Sequence, residues 1–79
     1  MYIKVMYFKD EQGDYGGRPY TYATELPLKV GDKVLAPTVS GDKKALVTQA
    51  GVPEGEIDIR WADKIKSVTA YDNGEVGNG

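Results

Sequence analysis

In the stretch Leu28-Lys29-Val30-Gly31-Asp32-Lys33-Val34-Leu35-Ala36, two apolar residues lead into a Gly-Asp pair and an apolar run leaves it. Glycine takes the positive φ that a tight turn requires, and an aspartate can close the turn with its own side chain. Pro27 holds the residue before it extended. The stretch therefore predicts a turn followed by a strand, Val34 to Ala36. Upstream, Tyr20-Thr21-Tyr22-Ala23-Thr24 is β-branched and aromatic and predicts another strand, entered through Arg18-Pro19. Tyr2 to Phe8 alternates, with Ile3, Val5 and Tyr7 on one face and Tyr2, Lys4, Met6 and Phe8 on the other. Lys9 to Gly17, rich in glycine and acids, predicts a mobile loop. Downstream, Ser40-Gly41-Asp42 predicts a turn into a strand from Lys43 to Ala50, ended by Gly51 to Gly55. Glu56 to Arg60 reads as a short strand or an extended arm. Trp61 to Lys64 reads as one helical turn before a last strand, Ile65 to Tyr71.

No persistent helical period exists, and breakers recur about every 8 to 12 residues, the spacing of short strands in a sandwich or barrel. The expected fold is all-β: a small five-stranded, partly open barrel of the SH3-like or OB-like type. The expected core is Ile3, Val5, Val30, Val34, Ala36, Val47, Ile65 and Val68. One barrel domain over 1–72 and a flexible C-terminal tail over 73–79 account for all 79 residues.

Ten basic against twelve acidic residues leave a net charge of −2, which argues against bulk-charge coating of nucleic acid or membrane. The chain has no Cys and no His, which removes thiolate chemistry, disulfides, the usual general base and the commonest transition-metal ligand. Ser40 and Ser67 stand in no nucleophile elbow. Asp10-Glu11-Gln12-Gly13-Asp14 and Asp72-Asn73-Gly74-Glu75 resemble fragments of calcium loops without the alternating ligands of a complete one. No enzymatic activity, metal or cofactor is expected. The N-terminal run is too short for a signal sequence and carries Lys4, and no apolar run approaches the length of a membrane span. The expected location is the cytoplasm.

Six tyrosines, one Phe and one Trp are more aromatics than so small a core needs. Tyr20 and Tyr22 share one strand face, with Arg18 before them and Lys33, Lys43 and Lys44 in neighbouring turns. Aromatics beside cations suit the stacking of unpaired bases. The competing reading is that Tyr20, Tyr22 and Trp61 simply cover the core with their polar atoms in water.

The order Tyr2-Ile3-Lys4-Val5, Arg18-Pro19-Tyr20-Thr21-Tyr22, then Leu28 through Ala36-Pro37 resembles the N-terminal DNA-binding domain of the primosomal replication-restart helicase PriA. The resemblance runs from about Tyr2 to Asp72, and Lys64-Ile65-Lys66-Ser67-Val68 echoes the opening of that domain's closing strand. It departs at Thr21, where many members carry an acid, in the longer acidic 9–17 loop, and in the absence of a helicase motor. It implies a pocket for the 3′ end of a DNA strand, near Thr21, the Gly41 turn and Lys64 or Lys66. The candidate nucleic-acid-binding set is thus Arg18, Tyr20, Thr21, Tyr22, Gly41, Lys43, Lys44, Lys64 and Lys66. Single-stranded DNA is one expected partner. The alternative is a protein-interaction module that uses an aromatic face or an open strand edge. Clustering of the lysines beside Tyr20 and Tyr22 would favour the first reading.

Overall fold

The chain forms six strands: β1 (Tyr2–Lys9), β2 (Asp14–Thr24), β3 (Lys33–Thr38), β4 (Gly41–Val52), β5 (Ser67–Val68) and β6 (Ala70–Tyr71). The computed structural model describes residues 1–72, and the expected tail at 73–79 lies outside the described residues. One sheet runs in the order β5-β2-β1-β4-β3-β6. The first four strands are joined as antiparallel neighbours through β1–β2, β1–β4 and β3–β4. The fold is all-β, and the only helical elements described are two three-residue 3-10 turns, Glu54–Glu56 and Ala62–Lys64. Among the described residues no helix is long and apolar enough to cross a membrane.

The expected fifth strand is two short ones. Ser67–Val68 pairs parallel with the end of β2, and Ala70–Tyr71 pairs antiparallel with β3. One segment, broken at Thr69, therefore joins both edges of the sheet and partly closes it into a barrel. The closure is tied by buried Thr24, whose hydroxyl donates to the Val68 carbonyl at 2.8 Å and accepts from the Leu26 N–H at 3.0 Å. Closure is incomplete because β5 covers only Ala23 and Thr24 of β2, and β6 only Val34 and Leu35 of β3. A seam remains between the rest of these two strands.

Inward alternation builds the core from Ile3 and Val5 of β1, Tyr22 and Thr24 of β2, Val34 and Ala36 of β3, and Ala45 and Val47 of β4. Val68 and Leu28 complete it. Val30 is not in the core: it is 63% exposed. It sits at the corner of the Lys29–Asp32 turn, so its side chain points away from the sheet and Leu28 supplies the buried group instead. That turn is built as the sequence predicts, with Gly31 at φ 98° and the Asp32 carboxylate accepting from the Lys29 N–H at 3.0 Å. Ile65 is half-buried rather than central.

The 9–17 region is a hairpin rather than a loop. Lys9 pairs with Asp14 and Phe8 with Tyr15, whose rings meet edge-on at 5.2 Å. Gly13 closes the turn at φ 67° by donating to the Lys9 carbonyl at 2.8 Å. The ladder is interrupted between Val5 and Tyr7, whose partners Tyr20 and Gly16 leave Gly17, Arg18 and Pro19 bulged against Met6. Gly17 at φ 86° and Pro19, which has no N–H to donate, account for the bulge. Glu56 to Arg60 forms no strand. It is an arm in which Arg60 pairs with Asp58 at 2.8 Å.

Candidate nucleic-acid interface

Along each inward row the side chains change character toward one end of the barrel. Val5 gives way to Tyr7, Tyr22 to Tyr20, Ala36 to Thr38, and Ala45 to Lys43. Aliphatic residues fill the centre, and the rim is aromatic, hydroxylic and cationic. The rings of Tyr7 and Tyr20 stack, with centroids 4.8 Å apart and planes 22° from parallel. Tyr20 pairs with Val5, so Tyr7, two residues on, is its diagonal neighbour on the same face, within reach of an aromatic ring.

Tyr22 lies beneath this pair and is only 5% exposed. Its hydroxyl donates to the Pro37 carbonyl at 2.9 Å and accepts from the Tyr7 hydroxyl at 2.5 Å. A carbonyl on the free edge of β3 is thus satisfied by a side chain from β2, across the seam. Burial first, and then the hydrogen bond with Tyr7, push the Tyr22 phenol well above the ordinary tyrosine range. It remains a protonated donor throughout the physiological range.

Above this relay the seam opens as a cleft of about 260 Å³, lined by Tyr7, Tyr20, Thr21, Tyr22, Pro37, Thr38, Val39, Lys64 and Lys66. Among the described residues no carboxylate lines it. Lys43 adds a third cation, its Nζ 5.5 Å from the Tyr7 ring centre. Lys64 Nζ lies 5.2 Å from the centre of Trp61, which is itself 56% exposed. The Ala23 N–H donates to the Lys66 carbonyl at 2.9 Å, so that edge of β2 faces away from β1. Two residues earlier, the Thr21 N–H and C=O have the same direction and face the open seam.

Of the nine candidate residues, Tyr20, Thr21, Tyr22, Lys64 and Lys66 line one cleft. Gly41 stands behind its rim, where its carbonyl accepts from the Thr38 hydroxyl at 2.6 Å. Lys43 joins through Tyr7. Lys44, its neighbour along β4, falls on the opposite sheet face by strand alternation. It borders a separate depression with Phe8, Asp10 and Asp42, which Lys43 also lines. Arg18 sits in the bulge, exposed, and does not line the cleft. Tyr7, Pro37, Thr38 and Val39 are cleft residues that sequence reasoning passes over. The alternation that puts Tyr7 inward gives no depth along the strand, so a rim tyrosine and a core one look alike. Of the three aromatics that the core-covering reading invoked, only Tyr22 is buried; Tyr20 is 43% exposed.

Fold and cleft define a small, partly open β-barrel with a tyrosine-walled, lysine-flanked slot in its seam. No protein family, curated protein or solved structure matches the chain.

Proposed function

We propose that this domain is a non-catalytic module that binds a single strand of nucleic acid, with an unpaired base in the seam cleft. The observation that carries the reading is that Lys64 and Lys66 line one cleft with half-buried Tyr7 and exposed Tyr20, with no acid lining it among the described residues, while Lys43 reaches the Tyr7 ring from the rim. A net charge of −2 is compatible with this, because the cations are placed locally. The cleft is small enough for one or two bases and too narrow for a duplex. Tyr20, held flat by its stack on Tyr7, offers its other face to a base, a contact worth about 1–3 kcal/mol. The lysines meet the flanking phosphates. Preference for a 3′ DNA terminus is the part of the proposal that rests on the resemblance to the primosomal helicase domain.

The test is a fluorescence-anisotropy titration with a labelled single-stranded oligonucleotide carrying a free or a blocked 3′ end, at two salt concentrations. Two or three phosphate contacts at about 0.7 each give a log–log salt slope near −2 at most. Binding should be micromolar or looser and weaker with the blocked end. Absence of binding at about a hundred micromolar protein in low salt, where even non-specific contacts register, refutes the reading.

A further inference from the structure

We propose that a second surface, a trough between β1 and the 54–62 arm, docks a basic, apolar segment of a partner protein. Two depressions of about 630 and 330 Å³ adjoin there, and both are lined by Tyr2 and Glu54. Leu26 and Val68 contribute apolar wall at one end, Ile57 and Ile59 at the other. Among the described residues the charged side chains lining either depression are Glu25 and Glu54, and the Met1 ammonium at the edge of the larger one is spent on the Thr24 carbonyl at 3.1 Å. None of these residues borders the tyrosine cleft.

Two features point to an occupant. First, Ile59 is 85% exposed on an arm that forms no strand, held only by short turns and by the Asp58–Arg60 pair. An aliphatic side chain presented this fully beside an apolar trough gains nothing from the folded chain, whereas a partner could bury it at about 25 cal/mol per Å². Second, charged side chains are segregated among the described residues of a nearly balanced chain: those lining the seam cleft are lysines and those lining the trough are glutamates, two carboxylates against the one Met1 ammonium. The excess of carboxylate over ammonium favours a cation flanked by aliphatic groups, which is the pattern of a peptide alternating basic and apolar side chains.

The probe is a fluorescent peptide of alternating lysine and leucine, with Lys–Ser and Glu–Leu peptides as controls. The Lys–Leu peptide should bind at least tenfold more tightly than either control. Glu54→Lys and Ile59→Ser should each weaken it about fivefold or more, while Glu11→Lys, the same charge change in the distant hairpin turn, should leave it unchanged. Melting temperatures of the exposed-site variants should match the parent, so loss of binding is not loss of fold. Equal weakening by Glu11→Lys reduces the effect to net charge and overturns the proposal. So does equal binding of the Glu–Leu peptide. A dimer that Ile59→Ser abolishes would assign the trough to a second copy of the chain and overturn it too. Failure of single-stranded DNA to bind the seam cleft leaves this proposal standing, since the two surfaces share no residue.

Discussion

Replacing Tyr22 with Phe isolates a side chain that ties the free edge of β2 to that of β3. The ring stays, with its burial, and only the hydroxyl goes. Two hydrogen bonds are lost, at 2.5 Å from Tyr7 and 2.9 Å to the Pro37 carbonyl. A neutral hydrogen bond contributes about 0.5–1.5 kcal/mol net, and a buried group left without a partner costs about 1–3 kcal/mol. Both orphaned groups here belong to half-buried residues and can recover part of this from water. The expected loss is about 1–2.5 kcal/mol by the same scale. For a domain of this size each kcal/mol lowers the melting temperature by about 4–8 °C, so Tyr22→Phe should melt some 5–20 °C lower. Tyr7→Phe removes only the outer link and leaves Tyr22 donating to Pro37, so it should cost about 0.5–1 kcal/mol. In the double variant the Tyr7 change should add almost nothing, because its partner hydroxyl is already absent. Urea unfolding of all four proteins measures the cycle. Equal losses for the two single variants, or full additivity, would refute the idea that the hydroxyl chain runs from Tyr7 through Tyr22 to the opposite edge.

Thr24→Val removes the buried hydroxyl that serves the Val68 carbonyl and the Leu26 N–H, and should cost about 1–3 kcal/mol in a urea melt. Val34→Ala, at a fully buried position, should cost about 1–3 kcal/mol, whereas Val30→Ala at the turn corner should change the melt by less than about 0.5 kcal/mol. The Tyr22 phenol has a folded value raised above its unfolded value of about 10, so its contribution is complete below about pH 10 and is lost as pH climbs toward the folded value. Melting temperature should therefore fall above about pH 10, and less steeply in Tyr22→Phe. In the anisotropy assay, Lys66→Glu should weaken oligonucleotide binding severalfold, while Lys44→Glu, on the opposite sheet face, should have at most a small effect.

The strands around the Gly31-Asp32 turn are legible in the sequence because their determinants are local: a positive φ, a carboxylate cap and two-residue alternation. Val30 misleads because apolar character and turn-corner geometry conflict there, and geometry wins. The 9–17 segment looks like loop because glycines and acids dominate it. Its pairing depends on Phe8 meeting Tyr15 across the hairpin, which no short window contains. The break at Thr69 is invisible for the same reason, since its two halves pair with β2 and β3, both far upstream of it in the chain. At the site, the sequence reading kept Lys43 and Lys44 together, and of the two only Lys43 stands over the Tyr7 ring. The stack of Tyr7 on Tyr20 follows from the pairing of Val5 with Tyr20, a register between β1 and β2 that neither strand's own alternation specifies.

The most direct measurement is amide chemical-shift mapping on isotope-labelled protein as a single-stranded oligonucleotide is added. Thr21, Thr38, Val39, Lys64 and Lys66, which ring the cleft, should shift together and saturate on one binding curve. Glu25, Glu54 and Ile59 in the trough should hold still. Shifts confined to the trough, scattered over surface lysines such as Lys44, or absent at saturating oligonucleotide would contradict binding in the seam.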